Sequence, residues 1–319
     1  MALRKSTLFL VSTCCALALG ADCSGGAPPA STPGLATPVV RGAQSHVRHG
    51  WISPTAKKEK LLYVSDYTSS VILIYQQGNT GSGPIGEIVD GVANPEGIAV
   101  DAVGTLYVAN IGNSTVTEYP AGSTSPSVTL STGISRPLDV SVDSTGIVYV
   151  TEGSAGMVLE FKPGSTFPDA TVSIMHPSDA TNSRNDDVYV TNNQSSTGHV
   201  MRCKPLSTKC KDLGIAVQFA QGIAIDSRAN LLVGDVFGEV IDIYAHGKTT
   251  PFRTIVVTNE QPSKLALDTK DKTLYMADPA NFAVRLFDYA NGNETSSFTF
   301  GSADELEGVA LFPGQKPGK

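Results

Sequence analysis

The stretch Pro95-Glu96-Gly97-Ile98-Ala99-Val100-Asp101, followed after a short turn by Leu106-Tyr107-Val108-Ala109-Asn110, decides the architecture of this chain. Each half is strand-like, with apolar residues packed into five or six positions and turn formers on either side. The second half recurs as Leu62-Tyr63-Val64-Ser65-Asp66, Val148-Tyr149-Val150-Thr151-Glu152, Val188-Tyr189-Val190-Thr191-Asn192, Leu231-Leu232-Val233-Gly234-Asp235 and Leu274-Tyr275-Met276-Ala277-Asp278. From Tyr63 through Tyr107, Tyr149, Tyr189 and Leu232 to Tyr275 the steps are 44, 42, 40, 43 and 43 residues. A period near forty with strand chemistry in every unit is the signature of a β-propeller, whose blades each hold about four strands.

The first half recurs too. Pro137-Leu138-Asp139-Val140-Ser141-Val142-Asp143, Ala220-Gln221-Gly222-Ile223-Ala224-Ile225-Asp226 and Pro262-Ser263-Lys264-Leu265-Ala266-Leu267-Asp268 precede the third, fifth and sixth copies. These are the expected innermost strands. Small residues at Ala99, Ser141, Ala224 and Ala266 suit strands that converge on a narrow axis. The fourth unit starts with Pro177-Ser178-Asp179-Ala180-Thr181-Asn182, where polar residues replace the apolar strand, and reads as degenerate. Third strands such as Val116-Thr117-Glu118-Tyr119 end on an aromatic suited to packing between blades. Gly78, Gly122, Gly164, Gly247 and Gly292 then follow, where the turn needs positive φ. No segment holds a helical period.

One innermost-strand phrase is left over at the end, Glu307-Gly308-Val309-Ala310-Leu311-Phe312-Pro313. It is expected to pair beside residues 61–66 and close the ring, which removes the open sheet edges. Trp51-Ile52-Ser53-Pro54 competes for that place and ranks second, because Pro54 interrupts a hydrogen-bond ladder. The expected fold is therefore all-β, a six-bladed β-propeller closed by a C-terminal strand. The expected boundaries are 1–20 for a signal peptide, 21–46 for a flexible linker, 47–313 for the propeller and 314–319 for a tail.

Composition agrees with one large domain. The 319 residues are 41% hydrophobic and 17% charged, with 31 Gly and 19 Pro for frequent turns. A net charge of −7 disfavours nucleic acid, which calls for a basic stripe. At the N-terminus Arg4 and Lys5 precede an apolar run from Leu8 to Leu19 and the small residues Ala18-Leu19-Gly20, the pattern of a secretory signal. Cys23 and the Pro/Ser/Thr-rich stretch after it have the form of a lipoprotein start, although Asp22 stands where such sites want a small residue. Lipid anchoring at Cys23 and plain secretion both stand; either places the folded part in a secreted, periplasmic or cell-surface location. Cys203 and Cys210, seven residues apart in the fourth unit, read as a hairpin disulfide in an oxidising compartment. A monomer is expected.

The phrase PEGIAVDAVGTLYVANIGNSTVTEYPAG, residues 95–122, resembles an NHL repeat, the unit of propellers related to the senescence-marker/gluconolactonase (SMP-30) group. The resemblance spans about residues 51–313 and is strongest in the second, third and fifth units. It implies six blades. It does not imply an activity, because such relatives include lactonases, lyases, extracellular sensors and plain binding scaffolds.

A propeller pocket opens where the innermost strands begin, and three stacked rings of residues are placed there by the repeat. The first holds Asn94, Arg136, His176, Phe219, Gln261 and Glu305. The second holds Glu96, Leu138, Ser178, Gln221, Ser263 and Glu307; the third, Gly97, Asp139, Asp179, Gly222, Lys264 and Gly308. The expected ligand site is thus Glu96, Arg136, Asp139, His176, Asp179, Gln221, Lys264 and Glu307. Carboxylates at Glu96, Asp139 and Asp179 would suit Ca²⁺ or Mg²⁺; the plainer reading is that they cap strand ends and hydrate the entrance.

Lactonases of the resembling group hold a metal through Glu, Asn and Asp, which would fall on Glu96 or Glu307, Asn94, and Asp139 or Asp179. The middle-blade turns Ser135-Arg136-Pro137-Leu138 and His176-Pro177-Ser178 depart from that pattern. Of five His, only His176 faces the expected mouth, too few for zinc. No Gly-x-Ser-x-Gly elbow is present. The leading expectation is a non-enzymatic scaffold for a protein, glycan or small-molecule ligand. A metal-dependent lactonase-like hydrolase is the alternative.

Overall fold

The computed structural model describes residues 49–194, 197–300 and 305–314. The expected signal peptide, linker and Cys23, and all of the tail but Gly314, lie outside them. The described chain folds as six antiparallel sheets around one axis. Five sheets have four strands; the first has five. The innermost strands are Pro95–Val100, Pro137–Val142, Pro177–Asn182, Ala220–Ile225, Lys264–Leu267 and Leu306–Phe312.

The last of these closes the ring. Leu306–Phe312 pairs with Leu61–Asp66, in a register that sets Leu62 opposite Leu311 and Val64 opposite Val309. Trp51–Ile52 instead adds a fifth strand to the far edge of the same sheet, beside Gly86–Ile88. Ladder interruption at Pro54 costs nothing there, since residues 54–58 turn away as a short 3-10 helix. Six apolar clusters fill the seams between neighbouring blades. One of them packs Leu62, Val64 and Tyr75 of the first blade against Tyr275, Val284 and Leu286 of the sixth, as a closed ring requires.

The recurring tyrosine has a second role besides packing. Tyr149 is fully buried in the seam, yet its hydroxyl donates to Asp143 Oδ2 at 2.8 Å. Asp143 Oδ1 in turn accepts the backbone N–H groups of Thr145 and Ile147, holding the turn between the innermost and second strands. Asp101, Asp226 and Asp268 hold the same turns in other blades.

The fourth blade has Ser183 at that place, and its innermost strand is polar, yet the strand forms. Ala180, Thr181 and Asn182 pair with Val190, Tyr189 and Val188, while Asp179 turns its side chain to Lys264 of the sixth blade and the Ile223 N–H of the fifth. Cys203 and Cys210 face each other across the outer hairpin of this blade and are joined by a disulfide.

Candidate functional site at the propeller mouth

The loops that enter the innermost strands are clasped by the polar residue that ends each repeat phrase. Asn110 Oδ1 accepts the Ala93 N–H at 3.0 Å. Glu152 accepts those of Ser135 and Arg136, and Asp235 those of Gln218 and Phe219 at 2.8 and 2.9 Å. Asp278 accepts the Gln261 N–H at 2.9 Å. These side chains are buried, so each clasp is shielded from water and holds one rim position in place. Asn94 and His176 sit in the left-handed region, with φ of 43° and 45°, which turns the chain sharply into its strand.

Inside this rim lies a cavity of about 190 Å³ lined by Glu96, Leu138, Ser178, Phe219, Gln221, Ser263, Lys264 and Glu307. Six of these are the second ring expected from the repeat. A directed relay runs along one wall. Gln261 Nε2 donates to Gln221 Oε1 at 3.0 Å, and Gln221 Nε2 donates to Ser263 Oγ at 3.0 Å. The Ser263 hydroxyl is then left to donate to the Glu307 carboxylate. The relay ends on Glu307. Phe219 packs against Phe237 with ring centroids 5.0 Å apart and planes inclined by 42°, forming an aromatic lip.

The floor is charged. Lys264 Nζ lies 3.0 Å from Asp139 Oδ1 and 3.2 Å from Asp179 Oδ1, all three side chains being nearly inaccessible to solvent. Asp139 Oδ2 also accepts the Ala180 N–H at 3.0 Å, and Asp179 Oδ2 the Ile223 N–H at 2.9 Å. Gly97 of the third ring makes room for this. A Cβ on Gly97 would stand 2.0 Å from Asp139 Oδ1.

The site carries more carboxylates than it has cations to match. Burial pushes Glu96 up to about 7, with Lys264 and Arg136 opposing and Glu305 adding to the rise. Glu307 is raised well above the usual carboxylate range, by burial and then by Glu96 and Glu305. Burial and the Asp179 charge raise Asp139 above the usual carboxylate range. Burial works against the charge on Lys264, but Asp139 and Asp179 together hold it above the ordinary lysine value. Lys264 is therefore a fixed ammonium.

Of the residues expected at the site, Glu96, Gln221, Lys264 and Glu307 line the cavity, and Asp139 and Asp179 lie under it with Lys264. Arg136 and His176 are exposed outside the lining. For the expected metal ligands, Asp139 and Asp179 converge on an ammonium. Among the described residues no three His, Cys, Asp or Glu side chains come together as a metal-ligand set.

Two contributors escaped the sequence reading. Ser65 Oγ donates to the Glu96 carbonyl at 2.6 Å, and Thr191 Oγ1 to the Gln221 carbonyl at 2.7 Å. Both occupy the penultimate position of the repeat phrase. Its run of small residues (Ser65, Ala109, Thr151, Thr191, Gly234, Ala277) was the available signal.

A larger hollow of about 250 Å³ lies at the other end of the innermost strands, between the fourth and fifth blades. Its carboxylate, Asp187, is already paired with Arg202 and Lys204. It gathers side chains from two blades, whereas the mouth gathers them from six, so the mouth is the better candidate for recognition.

No family model matches the chain, and no curated protein matches it. Solved structures do. One is a crystal structure of a nidogen/laminin complex, similar with a TM-score of 0.66 at 15% identity over 79% of this chain and 98% of that one. At that identity the likeness establishes the propeller fold alone. As 1249 solved chains match, the fold does not by itself select a function.

Proposed function

We propose that this chain is a non-catalytic binding propeller of the NHL/gluconolactonase-related kind, acting outside the cytoplasm, with the central mouth as its small-ligand site. In this reading residues 1–20 direct export, 21–46 tether the domain, 47–313 bind, and Cys23 is either lipidated or part of a free tether. The disulfide between Cys203 and Cys210 supports an oxidising compartment.

The observation that carries the reading is the cavity itself. Side chains from all six innermost strands meet there, with a one-way hydrogen-bond relay along one wall and the Lys264–Asp139–Asp179 cluster beneath. Such a wall orients a ligand. Its one deeply placed hydroxyl, Ser263, is buried and engaged by Gln221 and Glu307, with no role left as a nucleophile. The hydrolase alternative is not favoured, because the carboxylates it would need beneath the mouth are spent on Lys264.

A protein partner fits the same face. The nidogen/laminin complex is an assembly between proteins. Here Phe237 and Met175, 67% and 56% exposed, offer apolar contacts beside the mouth.

Metal analysis of purified protein together with a lactone-hydrolysis screen tests this function. Metal-free protein without turnover supports it. Stoichiometric Ca²⁺, Mg²⁺ or Zn²⁺ that Glu96→Gln removes, accompanied by lactone turnover, refutes it.

A further inference from the structure

The mouth cavity has a charge problem that its own residues do not solve. Four carboxylates, Glu96, Glu307, Asp139 and Asp179, surround one ammonium, Lys264. Asp139 and Asp179 are satisfied by that ammonium and by the backbone N–H groups of Ala180 and Ile223. Glu307 has the hydroxyl at the end of the relay. Glu96 has nothing comparable. Its carboxylate lines the cavity and accepts no hydrogen bond from any described residue. Glu96 is only partly exposed and has no protein donor, and the second carboxylate in the same lining, Glu307, adds like charge beside it. Glu305 at the rim contributes further negative charge, and Arg136 only partly offsets it.

What would remove the penalty is a donor that is also positive. A divalent metal fits poorly, since Glu96 and Glu307 are the two free carboxylates and hard cations take six or more oxygens. An alkylammonium needs only two or three acceptors, which Glu96 and Glu307 supply. The rest of the lining combines the apolar Leu138 and Phe219, the latter packed against Phe237, with the polar Ser178 and Gln221. An aromatic face also attracts a cation. The volume is suited to this, because a cavity of about 150 Å³ accommodates benzene and this one is about 190 Å³.

Resting on the mouth as the ligand site, we propose that the cavity binds a small organic monocation, a primary amine whose ammonium sits between Glu96 and Glu307 and whose apolar or aromatic part lies against Leu138 and Phe219. Lys264 sets the depth. Its fixed positive charge repels the ligand ammonium from the floor and keeps it at the level of the second ring. Neutral and anionic molecules of the same shape are rejected, the first for leaving Glu96 unpaired and the second for adding a charge beside it.

Calorimetric titration of the folded propeller at pH 8 and low salt tests this with three probes of one shape: benzylamine, benzyl alcohol and benzoate. At that pH benzylamine is protonated and Glu96 is ionised. The expected result is benzylamine bound at least tenfold more tightly than benzyl alcohol, with benzoate weakest. Glu96→Gln and Glu307→Gln should each weaken benzylamine at least tenfold and leave benzyl alcohol unchanged. Comparing the three probes on the parent protein keeps the test independent of whether either variant folds. Benzyl alcohol bound as tightly as benzylamine overturns the ammonium assignment while leaving the mouth as a ligand site. So does benzylamine affinity that is unchanged in both variants. Failure of all three probes to bind at millimolar concentration overturns it as well. A metal-loaded protein that hydrolyses lactones overturns the function underneath.

Discussion

Replacing Lys264 by Met removes the one ammonium that spans Asp139 and Asp179 while keeping most of the side-chain volume. At the observed 3.0 and 3.2 Å, each attraction is worth about 5 kcal/mol with an effective dielectric near 20. Desolvation of the three ions offsets much of this, at several kcal/mol per ion, so the intact cluster adds little net stability. The variant is different, because it leaves two buried carboxylates facing each other. Removing one partner of such a cluster typically costs about 3–5 kcal/mol, which for a domain of this size lowers Tm by roughly 6–20 °C. The sign with pH follows. Without Lys264 the folded-state pKa of Asp139, already raised by burial, loses its lowering partner and rises further above its unfolded value. The folded state then loses stability as pH increases, and the deficit is smaller at pH 5 than at pH 8. Thermal unfolding followed by circular dichroism at both pH values measures this. Adding Asp139→Asn and Asp179→Asn to Lys264→Met should recover at least half of the lost Tm. A Lys264→Met protein within about 2 °C of the parent at pH 8 would refute the buried cluster, since such a cost exceeds ~1 kcal/mol on any reading of the geometry.

Other outcomes follow from the same structure. Glu96 is raised from an ordinary 4.5 to about 7, and an acid raised on folding favours the folded state fully only below its unfolded value. Glu96→Gln should therefore raise Tm relative to the parent at pH 8 and show little difference at pH 4.5, as differential scanning fluorimetry across that range would record. Gly97→Ala drives a methyl group into Asp139 Oδ1 and should lower Tm by several degrees; an unchanged Tm means the third ring is looser than described. Deleting residues 306–319 strips Leu306, Val309 and Leu311 from the seam between the first and sixth blades, and soluble yield should collapse; a truncation as soluble and heat-resistant as the parent contradicts ring closure by that strand. A thiol count on non-reduced protein should find none at Cys203 and Cys210, and replacing both by Ser should cost about 2–3 kcal/mol or less.

Much of this architecture is legible in the residues. Repetition makes it so: each copy of the Leu-Tyr-Val phrase is weak evidence, but six in register allow only a ring. The leftover Glu307–Pro313 phrase then has one vacant edge to fill, and the structure puts it there. The stacked rings at the mouth are legible for the same reason, because equal positions in equal strands converge on one axis.

Side-chain destinations are another matter. Lys264 reads as one counter-charge among three, yet its long flexible stem carries the ammonium across the axis to carboxylates on two other blades, while Arg136 and His176 stay in solvent. Backbone position is set by the repeat; rotamer choice is set by the local charge balance, which a linear pattern does not display. The fourth innermost strand shows the converse. Its polar residues obscure the strand in sequence because Asp179 serves the floor of the cavity.

The claim that ligands seat at the mouth is tested most directly by side-chain amide NMR during a benzylamine titration. The Nε2–H signals of Gln221 and Gln261 belong to the relay along the cavity wall. They should shift together and saturably, and the amide signals of Asn185 in the hollow between the fourth and fifth blades should stay still. Saturable shifts confined to Asn185, with Gln221 and Gln261 unmoved, would contradict the account.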